Sequence, residues 1–252
     1  MLLVFSYVRV MLLFFVNWLK TYTQKFMGVT KVMIIRHAEK PGTYPPAGSK
    51  GLEYNAINPY GQADAESLVT LGWERAGGIA NLFYPTNKNF QSPELAAPNV
   101  IYAASPYDMK IDPYGNLEEP SQRPYQTISA LYGKMQVMTS GTNPSLNLSF
   151  KKGDYANMVT SVLALQNAPA VLIAWQHQDI LIDPKKEGSS SILNEFFSQT
   201  NTSTANFTLP VNPWPGDRYD MVLVLDMAGG QITAFTQVPQ MLLANDSTVL
   251  FT

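Results

Sequence analysis

Two stretches, Lys31-Val-Met-Ile-Ile-Arg36 and Ala170-Val-Leu-Ile-Ala-Trp175, are apolar at almost every position, and each runs into one of the only two histidines of this chain, His37 and His177. A strand with one wet face alternates apolar and polar residues. One without alternation must be covered on both faces, as strands inside a largely parallel sheet are. Further strands are expected at 99–103, 219–226 and 231–238, and helices at 71–83, 121–135, 154–165 and 191–199. Thr70 and Ser121 are the expected caps of the first two helices, and Pro124 is tolerated in a first turn. Met227-Ala-Gly-Gly230 suits a hairpin turn. The fold class that follows is α/β: a three-layer sandwich with a mostly parallel central sheet, helices on both faces and an antiparallel C-terminal hairpin.

With 46% hydrophobic and 14% charged residues, the chain can bury a sizeable core. No linker divides residues 27–252, so they read as one domain. A net charge of -2 without clustered Lys or Arg excludes a nucleic-acid surface. The absence of cysteine removes disulfides and thiolate metal sites, and two histidines are too few for most all-His metal sites. Neither a metal nor an organic cofactor is expected.

Residues 1–26 form an apolar leader interrupted by Arg9. A central arginine costs about 2.5–3.5 kcal/mol against roughly 0.3–0.6 gained per Leu or Phe, so membrane insertion is marginal. The leader also lacks the basic start and small-residue cleavage site of a signal peptide. It reads as an anchor giving membrane association, as an upstream extension of the natural start, or as a helix packed on the body. The expected location is cytoplasmic, and membrane-associated where the leader anchors the chain. Asn-x-Ser/Thr sequons at Asn147, Asn201, Asn206 and Asn245 carry no weight in a chain this rich in those residues.

Two connections, 41–67 and 105–120, are long and rich in Pro, Gly, Tyr and Asn, the composition of binding loops. Ligands of open α/β sheets bind beyond the carboxyl ends of the strands, so both loops should overhang one site. Tyr44, Tyr54, Tyr60, Tyr107 and Tyr114 are available there for stacking or hydrogen bonds, or to cover core. Arg36, His37, Arg123 and His177 together make a cationic pocket suited to a phosphoryl group.

Several motifs carry a family resemblance. The segment Val32-Met-Ile-Ile-Arg36-His37-Ala-Glu-Lys-Pro41 resembles the signature of the histidine phosphatase superfamily, which includes phosphoglycerate mutases and many phosphatases. Leu68-Val-Thr-Leu-Gly-Trp-Glu-Arg75-Ala76 is similar to that family's Leu-Thr-x-x-Gly-x-x-Arg-Ala helix start. Ser121-Gln-Arg123-Pro-Tyr-Gln-Thr127 resembles its second-arginine segment, and Leu172-Ile-Ala-Trp-Gln-His177 the strand delivering its second histidine. The similarity spans residues 31–226 and includes Trp214-Pro-Gly-Asp-Arg-Tyr-Asp220, which resembles a subgroup of small bacterial and fungal members.

The resemblance implies a phosphohydrolase acting on a small phosphorylated substrate without a metal. His37 would attack phosphorus and carry a phosphohistidine that water then hydrolyses. Arg36 and Arg123 would hold the non-bridging oxygens, with Arg123 at a helix N-terminus, and His177 would add a donor. Arg75 is expected on a helix surface and Arg218 in a structural position; a surface Arg123 would pair with Glu118 or Glu119. The chain departs from the family pattern in having Ala38 where glycine commonly follows the Arg-His pair. It also lacks the glutamate that commonly follows the second arginine and protonates the leaving group. Asp179 is the first candidate for that acid and Glu39 the second. Without a donor, esters with poor leaving groups would turn over slowly, while aryl and acyl phosphates would not suffer. The alternatives are a non-catalytic phosphate-binding module of the same fold, a phosphoglycerate mutase-like phosphotransferase, and a membrane-tethered interaction protein.

Overall fold

The computed structural model describes residues 28–42, 56–111, 117–118, 120–182 and 190–252, without the side chains of Lys110, Leu117 and Glu118. The leader, Tyr44, Tyr54, Tyr114 and Glu119 therefore lie outside the described residues. Among those described, no helix is long and apolar enough to cross a membrane.

In chain order the elements are β1 (Lys31–Arg36), α1 (Thr70–Leu82), β2 (Val100–Ala103), β3 (Lys110–Ile111), β4 (Leu117–Glu118), α2 (Arg123–Met138), β5 (Ser145–Asn147), α3 (Tyr155–Leu163), β6 (Ala170–Trp175), α4 (His177–Ile180), α5 (Ile192–Gln199), β7 (Met221–Ala228) and β8 (Gln231–Pro239). The main sheet has six strands in the order β5-β2-β6-β1-β7-β8, and β3 and β4 form a small separate ribbon. β5, β2, β6 and β1 run parallel. β7 runs antiparallel to β1 and turns back into β8, as expected of the C-terminal hairpin. Ala228 pairs with Gln231, leaving a loop of Gly229 and Gly230 with φ of 60° and 80°. Such positive φ values at both central residues match the twist of the flanking strands and suit glycine.

Alternate residues of the buried strands serve opposite layers, because side chains along a strand point to opposite faces. Val32, Ile34, Val171, Ile173 and Trp175 face Met158, Val162, Ile192 and Phe196 of α3 and α5. Met33, Ile35, Leu172 and Ala174 face Ile79, Phe83, Ile128 and Leu131 of α1, its C-cap and α2. This is the three-layer sandwich that the unbroken apolar runs require.

The helix starts differ from expectation. Thr70 lies inside α1, and the capping position is Val69, whose N–H donates to the Glu39 carbonyl at 3.2 Å. Gln122, not Ser121, precedes α2, with Pro124 in its first turn. Tertiary contacts take over where a side-chain cap is missing: the Gln122 N–H donates to the Glu66 carbonyl at 3.0 Å. Ser191 does cap α5, accepting from the Asn194 N–H at 3.1 Å.

Arg75 is buried, contrary to the surface position expected from its helix. Its guanidinium binds both oxygens of Glu39, at 2.9 and 3.1 Å from Nε, and Asp246 at 2.6 and 3.1 Å. Arg75 is 4% exposed, Glu39 5% and Asp246 1% at the side chain, so water screens this triad little. Burial penalises the arginine's charge, but hydrogen bonds and attraction from Asp246 and Glu39 outweigh it and raise its pKa. The triad joins α1 and the C-terminal segment to the turn that follows His37. Gly72, one helical turn before Arg75, meets the same turn, and a Cβ there would lie 2.6 Å from the Glu39 carbonyl oxygen.

Candidate active site

Register places the two histidines. β1 and β6 are parallel neighbours with Arg36 opposite Trp175, so the residues after each strand emerge together at one carboxyl edge. The His37 N–H still donates to the Trp175 carbonyl at 2.8 Å, extending the pairing one residue beyond the strand. α4 then begins at His177. β2 ends at the same edge, with Ala103 opposite Ala174, and leads into Ala104 and Ser105.

A cavity of about 290 Å³ opens beyond these three strand ends, and its wall includes His37, Lys40, Ser105, Asp108, Ser121, Arg123, Lys152 and His177. Of the two long connections, 105–120 lines the cavity through Ser105, Asp108 and Pro120, whereas no described residue of 41–67 is on the wall and that connection meets the site through the contacts of Glu66 and Ser67 with Arg123. A larger cavity, about 1050 Å³ between Leu181 and Val211, has no charged or imidazole side chain among the described residues of its wall. The smaller cavity is the one that brings both histidines together with Arg123.

His37 is 5% exposed, and its Nδ1 lies 2.8 Å from the Ala38 carbonyl oxygen. A carbonyl can only accept, so in the neutral ring Nδ1 carries the proton and Nε2 keeps its lone pair. Burial, followed by the positive charges of Arg36, Arg123 and His177, pushes the imidazole well below its ordinary pKa, against the opposing pull of the Ala38 carbonyl. The ring is thus held neutral with one nitrogen available to attack.

Thr127 joins the end of β1 to the start of α2. Its hydroxyl accepts the Ala38 N–H at 2.8 Å and donates to the Arg123 carbonyl at 2.7 Å. Arg123 reaches the cavity from this first turn, where Nη2 pairs with Glu66 at 3.3 Å and Nε donates to the Ser67 carbonyl at 3.3 Å. Among the described side chains its acidic partner is Glu66, brought from the first long connection by folding.

Arg36 does not form part of the cavity wall. It is wholly buried, with its guanidinium carbon 3.7 Å from the centre of the Tyr219 ring, and Nη1 donates to the carbonyls of Pro215, Gly216 and Arg218 at 3.2, 2.8 and 2.8 Å. Burial lowers its pKa to about 10, partly offset by Tyr219, Glu39 and Asp217, so it remains cationic at neutral pH. Nε and Nη2 have no hydrogen-bond partner among the described residues. Buried donors without acceptors cost about 1–3 kcal/mol each, so an acceptor brought to this edge would be stabilising. Arg218 is structural as expected: it binds Asp220 at 2.6 Å while its carbonyl accepts from Arg36 and from Trp214 Nε1.

The structure places neither acid candidate on the cavity wall. Asp179 is buried and absent from the wall; its Oδ2 accepts from Trp175 Nε1, Gln176 Nε2 and the Gly153 N–H at 3.0, 2.7 and 3.1 Å. That oxygen therefore ties the Gly153 turn to the Trp175–Gln176 segment and does not face the cavity. Glu39 is committed to Arg75. Sequence reasoning missed Asp108, Lys40 and Lys152, which do line the cavity. Asp108 pairs with Lys151 at 2.6 Å and is the only carboxylate on the wall among the described residues. Lys40 adjoins the Arg-His motif, but Asp108 and Lys152 sit in irregular segments where spacing offers no signal. Tyr60 and Tyr107 are 87% and 73% exposed and lie off the wall, whereas the unforeseen tyrosine is Tyr219 against Arg36.

No protein-family model and no curated protein matches the chain. Among solved structures, a candidate phosphohistidine phosphatase SixA from Agrobacterium tumefaciens is similar over 79% of this chain and 93% of its own, with 16% identity and a TM-score of 0.35. A candidate alpha-ribazole-5'-P phosphatase from Escherichia coli is similar over 81% of this chain and 94% of its own, with 9% identity and a TM-score of 0.39. Likeness at these levels does not identify an activity.

Proposed function

We propose that the chain is a phosphohydrolase that cleaves a phosphate monoester through a phosphohistidine on Nε2 of His37. The observation that carries this reading is the His37–Ala38 contact on a wall shared with Arg123 and His177, because it couples a neutral nucleophile to cationic oxygen-binding groups. In the first step Nε2 bonds to phosphorus while the ester oxygen departs with its electron pair and takes up a proton from solvent water. In the second, water attacks phosphorus, the P–N bond breaks, and phosphate leaves with His37 restored. Arg123 and His177 act on the phosphoryl oxygens from the wall, and Arg36 offers Nε and Nη2 from behind it. Phosphoryl transfer depends mainly on position and charge stabilisation, and these groups supply both without calling on a metal.

Asp108 is the carboxylate available to receive a proton from the attacking water. Its ion pair with Lys151 occupies it, and among the described residues no second carboxylate is on the wall to protonate a poor leaving group. Aryl and acyl phosphates are therefore the preferred substrates over sugar-alcohol esters. The same lack of an evident donor favours one alternative, a phosphate-binding module with negligible turnover.

The deciding experiment is turnover of aryl and alkyl phosphates in EDTA by wild type and His37→Ala, with an acid quench to trap acid-labile phosphoenzyme. Activity and a trapped intermediate, both abolished by the substitution, are expected. Phosphate binding without phosphoenzyme from a folded protein would establish the binding module instead.

A further inference from the structure

One face of the Arg36 guanidinium lies against the Tyr219 ring, with its central carbon 3.7 Å from the ring centre. Nη1 donates to the carbonyls of Pro215, Gly216 and Arg218. The ring and the carbonyls all come from residues 215–219, the segment that leads into β7. Together they restrict both the tilt and the rotation of the group, because guanidinium is rigid and planar. Nε and Nη2 share another edge of that plane, and among the described residues neither has a hydrogen-bond partner. Through such an edge an arginine takes two oxygens of one anion at once.

Tyr219 neighbours the other half of the motif as well. Its ring centre is 6.1 Å from that of the His37 imidazole, with the planes inclined at 54°. Register brings it there: β7 runs antiparallel to β1 with Val222 opposite Ile35, so the residues before β7 pass the end of β1. The segment is fastened from behind. Trp214 Nε1 donates to the Arg218 carbonyl at 2.8 Å, Arg218 binds Asp220 at 2.6 Å, and Asp220 accepts the Ser247 N–H at 2.6 Å. Phe251 packs edge-on against Trp214 with ring centres 4.8 Å apart. Tyr219 is itself buried, and an aromatic face attracts a cation most strongly where water is excluded.

We propose that Tyr219 is a positioning residue for phosphoryl transfer: its ring fixes the plane of Arg36, so that the Nε–Nη2 edge is set before the phosphoryl oxygens arrive. The proposal rests on the phosphohydrolase assignment for the role of Arg36. It deepens that assignment by making the oxygen clamp a device of two residues, the second supplied by the segment before β7 and lying outside the Arg-His motif. Donors fixed in advance stabilise developing charge without reorganising during the reaction.

The test uses inorganic phosphate, the product of the proposed reaction, and needs no turnover. Its binding to the full chain is measured by calorimetry, and the NMR signal of the Arg36 Nε–H is followed during the titration. In the wild type this signal should lie upfield, shielded by the Tyr219 ring, and should move downfield as phosphate binds. Tyr219→Leu should remove the shielding and weaken phosphate binding about tenfold, within the range for a desolvated cation–π contact. Tyr219→Phe should restore most of both, since it keeps the ring. In an Arg36→Lys background, Tyr219→Leu should cost less than about twofold, because lysine has no planar fork to hold. An equal loss in both backgrounds, or Phe as weak as Leu, overturns the positioning role and leaves the phosphohydrolase assignment standing. So does unchanged phosphate binding in Tyr219→Leu. Phosphate binding that leaves the Arg36 signal unmoved removes Arg36 from the oxygen clamp and Tyr219 with it, while His37 keeps its part. Failure of the folded wild type to bind phosphate overturns both.

Discussion

The Nδ1 atom of His37 lies 2.8 Å from the carbonyl oxygen of Ala38, the residue that follows it in the chain. This contact sets the tautomer, while burial and neighbouring cations hold the ring's pKa well below the usual histidine value of about 6.5. An NMR titration should therefore show His37 neutral through pH 6.5 and taking up its proton only in more acidic solution. The unfolded chain binds that proton first, so this group lowers native stability as pH falls below about 6.5. A titration midpoint at the ordinary value would remove the electrostatic basis for a permanently available nucleophile.

Substituting Asp246 tests the buried triad. Asp246→Asn leaves part of the Arg75 charge uncompensated and should destabilise the fold by about 3–5 kcal/mol in urea denaturation, the scale for breaking a buried ion pair. Burial raises the Asp246 pKa, but Arg75 and the Leu242 and Leu243 amides bring it below its ordinary value. Its stabilising contribution is thus present above about pH 4 and is lost as pH falls through the native pKa. The variant should show a flatter loss of stability in acid; an unchanged acid profile would mean that another carboxylate controls it.

Thr127→Val removes the hydroxyl between the Ala38 N–H and the Arg123 carbonyl while keeping the side-chain volume. A buried amide left without an acceptor costs about 1–3 kcal/mol. We expect loss of that size in stability together with a fall in kcat, because the turn carrying His37 and the first turn of α2 are no longer joined. Full activity at reduced stability would show that the link serves folding alone.

Gly72→Ala places a methyl group 2.6 Å from the Glu39 carbonyl oxygen. Overpacking of this kind typically costs about 1–3 kcal/mol. Because the displaced backbone lies between His37 and Lys40, the expected result is a lower melting temperature with weaker phosphate binding. A variant indistinguishable from wild type would show that the helix shifts without disturbing the turn.

Asp179→Asn distinguishes an anchoring carboxylate from a leaving-group acid. The three donors on Oδ2 predict that aryl and alkyl phosphate turnover fall by similar factors, with the dependence on leaving-group pKa unchanged. A selective loss on alkyl phosphates, seen as a steeper leaving-group dependence, would restore Asp179 as the proton donor.

Much of the architecture was legible in the sequence because burial on both faces leaves an unbroken apolar run. β6 matches the expected range, and β1 follows from the same pattern, which also identifies His37 and His177 as residues at strand ends. The Gly-Gly turn made the final hairpin legible through local backbone geometry. Helix boundaries were less so, since Val69 and Gln122 precede α1 and α2 without side-chain caps and distant carbonyls satisfy their amides.

Partnership between side chains could be decided only by the tertiary structure. A helical position with charged neighbours reads as surface, yet Arg75 is buried because Glu39 and Asp246 arrive from segments remote in sequence to satisfy it. Asp179 and Glu39 stand close to the histidines along the chain, but their oxygens are turned to other donors, while Asp108 and Lys152 reach the cavity from irregular loops. Local sequence determines which residues end a strand, because periodicity and burial act over a few neighbours. Which carboxylate faces a cavity depends on hydrogen bonds and ion pairs closed across the whole chain.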